Sequence, residues 1–187
     1  IGSTTTTTDY CGNVIYENGT QKLLLTEEGY INLTGTQQYH YYLKDHQGNN
    51  RVVINQSGTV EETNHYYPFG GVFGTAGNTQ PYKYNGKEFD TKKGLNWYDY
   101  GARHYDTALG RFTTNDRFAE KYYSMSPYQY GANSPVVNID VNGDSIRICT
   151  ETQSFGHTWI SVGEGSNMTV YSYGRYNGTN KGPDRSS

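Results

Sequence analysis

Three stretches of this chain set an aromatic residue, an aspartate and a glycine across one tight turn. They are Tyr42-Leu43-Lys44-Asp45-His46-Gln47-Gly48, Phe89-Asp90-Thr91-Lys92-Lys93-Gly94 and Tyr105-Asp106-Thr107-Ala108-Leu109-Gly110. An aspartate in such a place caps the turn by accepting backbone N–H groups, and the glycine takes the positive φ that closes it. A hairpin of this kind buries little apolar area alone, so it must stack on neighbours. The pattern predicts an all-β chain made of successive antiparallel hairpins.

Composition points the same way. The 187 residues include 20 tyrosines and 23 glycines, and 33% are hydrophobic. That share lies below the ~45–50% of an ordinary globular domain, and the shortfall falls on aliphatic residues. Tyrosine buries a large ring and keeps a hydroxyl for a partner, which suits half-wet sheet surfaces. Residues 14–25 read as a hairpin turning at Asn18-Gly19, a strong local signal. Residues 39–67 read as three strands with turns at His46–Asn50 and Ser57-Gly58, and residues 81–112 as two further strand–turn–strand units. The stretch 70–80, GGVFGTAGNTQ, is predicted to be a flexible loop. Helix-compatible sequence is confined to a short run at Arg117–Tyr123.

A net charge of −3, with no basic stripe, argues against nucleic acid as a partner. No apolar run approaches the ~18 residues of a membrane span. The opening IGSTTTTTDY lacks the basic and apolar regions of a signal peptide and reads as a cut inside a longer protein. Cys11 and Cys149 stand alone, without metal or redox spacing, and no disulfide is expected between them. No cofactor and no metal is expected.

The segment Gly101–Ser145 resembles the RHS-repeat-associated core of Rhs/YD-repeat proteins, and residues 39–100 resemble the YD repeats that precede it. The residues carrying the likeness are Arg103-His104-Tyr105-Asp106, Gly110-Arg111-Phe112, Asp116-Arg117, Tyr128-Gln129-Tyr130, Asn133-Ser134-Pro135-Val136 and Asp140-Val141-Asn142-Gly143. Together with the repeats, the likeness extends over residues 39–145 of the chain. The family pattern has proline after each of the two aspartates, where this chain has Arg117 and Val141. The resemblance implies YD-repeat hairpins over 1–100, a core plug over 101–144, and a small β-rich variable segment, an incomplete effector, over 145–187. It implies a hollow β-shell closed by the core, with the rest of the shell in cis and a cognate immunity protein as partners. It implies export to the medium or cell surface as part of a larger bacterial protein that acts in competition between bacteria. It also implies an aspartyl-protease-like site of Arg103, Asp116 and Asp140 that cuts the chain near Gly143, Asp144 and Ser145, releasing the effector.

The chemistry of such a set is straightforward. Two carboxylates brought close cannot both ionise easily, so one keeps a proton while the other serves as base toward water. A guanidinium beside them orients a carboxylate or a scissile carbonyl. Asp116 and Asp140 lie 24 residues apart, so only a chain reversal joins them, and Gly131, Asn133 and Pro135 supply turn residues for it. The plainer reading makes Asp116 a salt-bridged turn residue and Asp140 an ordinary β-turn aspartate.

Beyond residue 144 the alternation of the sequence predicts strands at Ser145–Thr150, His157–Val162 and Met168–Tyr173, then a disordered tail at 177–187. His157 and Cys149 suggest a Cys–His dyad, in a stretch loosely similar to the histidine strand of permuted papain-like hydrolases. In that family the cysteine follows the histidine, whereas Cys149 precedes His157. A buried cysteine beside an edge histidine is the simpler account. Two further functions stay open at this point. One is a non-enzymatic adhesion or glycan-binding module of Tyr-rich sheets; the other is a small hydrolase using His157 and Cys149.

Overall fold

The computed structural model describes residues 5–144 and the backbone of the strands at 146–148, 157–162 and 169–174. The expectations at Ser145, at Cys149, at the side chain of His157 and in the 177–187 tail lie outside the described residues. The chain divides into two compact units, one of Ile1–Asp45, Asn49–His65 and Val72–Gln80, the other of His46–Gly48, Tyr66–Gly71 and Pro81–Ser187.

The first unit is an eight-stranded antiparallel meander in sequence order. Its strands are β1 (Thr8–Cys11), β2 (Val14–Glu17), β3 (Thr20–Leu25), β4 (Gly29–Asn32), β5 (Gln38–Lys44), β6 (Asn50–Asn55), β7 (Val60–Tyr66) and β8 (Val72–Ala76). The expected hairpins over 14–25 and 39–67 are present as β2–β3 and β5–β6–β7. The buried positions mix apolar Ile15, Leu23, Tyr30 and Val53 with polar His40, Asn50, Glu62 and Asn64. Most of these polar groups are paired, which offsets their burial, while His40 Nε2 and Asn50 Oδ1 have no hydrogen-bond partner. Glu62 accepts from Asn64 Nδ2 at 2.6 Å, Thr79 N at 2.7 Å and Gln80 Nε2 at 3.2 Å. His40 stacks on its cross-strand partner Tyr30 with ring centroids 4.3 Å apart.

One expectation is overturned here. Residues 70–80 are not a loop throughout, since Val72–Ala76 form β8 on the sheet edge. The glycine content that suggested flexibility serves close approach instead. A Cβ on Gly77, at φ +79°, would lie 2.0 Å from the Glu61 carbonyl oxygen. Only glycine lets the chain pass there.

The second unit holds a four-stranded antiparallel sheet ordered β12-β11-β10-β9. Its strands are β9 (Glu88–Asp90), β10 (Trp97–Asp99), β11 (His104–Asp106) and β12 (Arg111–Phe112). Register places Phe89, Tyr98, Tyr105 and Phe112 in one row across it. With Tyr84, Tyr100 and Tyr130 they form an aromatic core. Each buried ring keeps a partner for its hydroxyl. Tyr84 donates to the Pro68 carbonyl at 2.8 Å, Tyr105 to that of Phe69 at 2.9 Å, and Tyr100 and Tyr130 to Asn85 Oδ1 at 2.7 and 2.6 Å. This pairing explains how a chain poor in aliphatics builds a core from tyrosine.

The repeated turn pattern behaves as its residues suggest. Asp45 accepts from Asn49 N at 3.1 Å, Asp90 from Lys92 N at 2.8 Å, and Asp106 from Ala108 N at 2.8 Å. Gly48, Gly94 and Gly110 have φ of +78°, +76° and +64°. The helix-compatible run contributes only a 3-10 turn at Ala119–Lys121. Two hairpins complete the described strands. In the first, β13 (Asn138–Asp140) pairs with β14 (Ile146–Ile148); in the second, β15 (His157–Val162) pairs with β16 (Thr169–Gly174). No helix among the described residues is long and apolar enough to cross a membrane.

Candidate functional site

Arg103 lies at the end of the tight turn between β10 and β11, where Tyr100 N bonds its carbonyl at 3.0 Å. Its guanidinium lies over the Phe112 ring, with Cζ 3.8 Å from the centroid. The planar group is thereby held edge-on to its partners. Nη1 donates to the Pro127 carbonyl at 3.0 Å, and Nε donates to the carbonyl of Gly143. Nη2 donates to Asp116 Oδ2 at 2.9 Å and lies 3.7 Å from Asp140 Oδ2. The three candidate residues thus meet around one guanidinium. Arg103 and Asp140 retain only 4% and 3% of their side-chain exposure.

Each carboxylate is also fixed by its own turn. Asp116 Oδ1 accepts from Phe118 N at 2.7 Å, and Asp116 N bonds the same Pro127 carbonyl that Arg103 uses, at 2.9 Å. Asp140, the last residue of β13, uses Oδ1 to accept from Gly143 N at 2.6 Å and Asp144 N at 3.0 Å. The turn reading of these aspartates and the site reading therefore describe different oxygens of the same side chains.

The segment Gly143-Asp144 lies in the connection between β13 and β14, opposite the aspartates. Gly143 has φ +82°, and a Cβ there would stand 3.1 Å from both Arg103 N and Tyr100 Cβ. Side-chain-free backbone is what admits this carbonyl to the guanidinium. Ala102 N ties the neighbouring Asn142 carbonyl at 3.0 Å.

Three further side chains belong to the site: Phe112 and Arg117 stand in the quoted motif without a role assigned to them there, and Lys87 carries no signal in the sequence. Lys87 donates to the Val141 carbonyl at 2.6 Å and lies 5.2 Å from the Tyr100 ring centroid. Burial pushes its ammonium below the usual lysine value, while Asp140 and Asp99 draw it back up. Arg117 pairs with Asp144 Oδ2, and Phe112 underlies Arg103. Burial also lowers Arg103, opposed by Asp116, Asp140 and Asp144. Lys87 lies too far from the motif in sequence for spacing to reveal it. Arg117 was visible only as a departure from proline.

Chemically, the arrangement holds a peptide unit against one cation and one carboxylate, with a second carboxylate across the same guanidinium. Among the described residues no group of three or more His, Cys, Asp or Glu side chains could hold a metal ion.

The sequence matches no family model and no curated protein. Solved structures do share its fold. A crystal structure of TcdB2-TccC3-Cdc42 matches 74% of this chain with a TM-score of 0.61 at 22% identity. A crystal structure of TcdB2-TccC3 without its hypervariable C-terminal region matches 74% with a TM-score of 0.56 at 20% identity. A Photorhabdus luminescens Tc holotoxin pore with a mutation in TccC3 matches 79% with a TM-score of 0.58 at 20% identity. The chain spans 8% of the length of each.

Proposed function

We propose that this chain is the core of an Rhs/YD-repeat toxin that closes a β-shell and cuts itself in the 143–145 segment. The observation carrying this reading is the convergence of Asp116, Asp140 and the Gly143 carbonyl on Arg103. The fold shared with TcdB2-TccC3 assemblies supports the placement in a toxin shell. The match persists in a neighbour lacking its hypervariable C-terminal region, so the shared part is not that region. On this reading residues 145–187 begin the released effector, the rest of the shell is the partner in cis, and a cognate immunity protein is the partner in trans. The protein is then exported as part of a larger chain. His157 and Cys149 carry no part of this reaction.

The proposed mechanism uses these contacts. Asp116, ion-paired to Arg103, takes a proton from water as that water attacks the carbonyl carbon. Arg103 stabilises charge on the carbonyl oxygen. The departing nitrogen takes up a proton delivered through Asp140 as the C–N bond breaks, once its own N–H bond to Asp140 Oδ1 has opened. The products are a carboxylate on one fragment and an amine on the other. Water is the only co-reactant.

Intact mass and N-terminal sequencing of the wild-type chain beside Asp116→Asn and Asp140→Asn test this. Expected are two fragments from wild type and one intact chain from each variant. An intact wild-type chain overturns self-cleavage and leaves the aspartates as turn caps.

A further inference from the structure

Resting on self-cleavage by this site, we infer that Lys87 is a positioning residue for it, holding the backbone after Asp140 and offsetting that residue's charge. The lysine is first fixed at its own backbone. Lys87 N bonds the Tyr84 carbonyl at 2.9 Å, and the Lys87 carbonyl accepts from Lys83 N at 2.9 Å. The turn so closed carries Asn85, whose Oδ1 accepts from the hydroxyls of Tyr100 and Tyr130. The lysine side chain thus starts from the aromatic core. Its Nζ lies 5.2 Å from the Tyr100 ring centroid and donates to the Val141 carbonyl at 2.6 Å, 54 residues along the chain.

Asp140 is therefore approached from two directions. Arg103 Nη2 lies 3.7 Å from its Oδ2, and Lys87 holds the carbonyl of the residue that follows it. The two cations share one aromatic wall, since the Tyr100 ring beside Lys87 meets the Phe112 ring beside Arg103 edge-on, with centroids 5.6 Å apart. The carbonyls of Val141, Asn142 and Gly143 are taken in succession by Lys87 Nζ, Ala102 N and Arg103 Nε. Releasing the first loosens the turn that aims Asp140. A neutral donor could hold the same carbonyl, but only a cation also offsets a carboxylate beside it. Two carboxylates face the ammonium, Asp140 from β13 and Asp99 from β10, and both draw its protonation back up against burial. Asp99 is exposed and gives Oδ1 to Gly101 N at 2.7 Å, whereas Asp140 is 2% exposed. The attraction to Asp140 is the less screened of the two.

The test times fragment appearance from the full chain across a range of pH in wild type, Lys87→Met, Lys87→Gln and Lys87→Arg, with a urea midpoint for each. Lys87→Met should cleave about tenfold more slowly, as a misaimed reacting group does. Its pH–rate profile should also move toward higher pH, because a carboxyl that loses a neighbouring cation keeps its proton longer. Lys87→Gln keeps a donor without the charge and should show the same displacement, which supplies the reading if the methionine variant does not fold. Lys87→Arg keeps the charge and should cleave near the wild-type rate with its profile unmoved. A merely structural lysine would lower the urea midpoint and slow cleavage equally at every pH. That result, or a wild-type rate in both neutral variants, overturns the role of Lys87 and leaves self-cleavage standing. A wild-type chain that stays intact overturns both together.

Discussion

Asp116 and Asp140 divide their oxygens alike: each gives Oδ1 to backbone N–H groups of its own turn and Oδ2 to Arg103 Nη2, at 2.9 and 3.7 Å. Turn capping through Oδ1 leaves Oδ2 for the guanidinium. It aims the second oxygen, because a side chain fixed through Oδ1 has no freedom left to turn Oδ2 away from the guanidinium. The stiffness that proline would bring to these turns is supplied by hydrogen bonds.

Arg103→Met should abolish cleavage and destabilise the fold. It strands Asp116, 13% exposed, without its counter-ion. Losing one partner of a buried ion pair costs about 3–5 kcal/mol. Urea unfolding of Arg103→Met against wild type measures this. A loss below about 1 kcal/mol would show that the guanidinium does not hold this charge.

Asp106→Ala separates capping from catalysis. Asp106 accepts from Ala108 N and Leu109 N at 2.8 and 3.2 Å and takes no part in the Arg103–Asp116–Asp140 contacts. The expected loss is about 1 kcal/mol, with the cleavage rate unchanged. A thermal melt and a cleavage time course on the same sample check both halves.

Gly143→Ala should slow cleavage strongly while leaving most of the stability. The positive φ of +82° costs a Cβ-bearing residue about 1–2 kcal/mol, and the 3.1 Å approach to Arg103 N and Tyr100 Cβ moves the carbonyl off Nε. Fragment yield at a fixed time, read beside a urea midpoint, distinguishes the two effects.

The aromatic core should fail in alkali. Burial holds Tyr98, Tyr100, Tyr105 and Tyr130 above the ordinary tyrosine value of 10.0. A raised folded-state value means the folded chain keeps protons that the unfolded chain releases, so this stability is complete below pH 10 and is lost as pH climbs above it. Lys87 works in the opposite sense, since its lowered value makes stability rise as pH approaches 10.5. The four tyrosines outnumber it, so unfolding should accompany their ionisation. Absorbance of tyrosinate followed with far-ultraviolet dichroism tests this: core tyrosines that ionise while the sheet signal stays constant would contradict it.

Tyr105→Phe removes one hydroxyl from the Phe69 carbonyl at 2.9 Å and leaves the ring packing in place. A loss of about 1 kcal/mol is expected. Tyr105→Ala should cost about 3–5 kcal/mol by opening a cavity. Denaturation midpoints of the two variants give the comparison.

Local chemistry made much of this protein legible in its sequence. The strand alternation, the Asn18-Gly19 hairpin and the aspartate caps at 45, 90 and 106 depend on neighbours within a few residues, and the chain carries that information directly. Glycine was the ambiguous letter, because freedom of φ and close approach both select it. Gly77 lies where another strand must pass, a fact set by β7 and not by the residues beside it. The site shows the same boundary. Arg103, Asp116 and Asp140 were named from an ordered motif, but their meeting on one guanidinium requires β11, the 116–118 turn and β13 to converge. Lys87 and the Arg117–Asp144 pair were invisible, because a salt bridge or a carbonyl held by a distant lysine depends on separation in space, which sequence separation does not encode. Tertiary structure alone decided that the Gly143 carbonyl meets the Arg103 guanidinium, because that contact joins residues 40 apart in the chain.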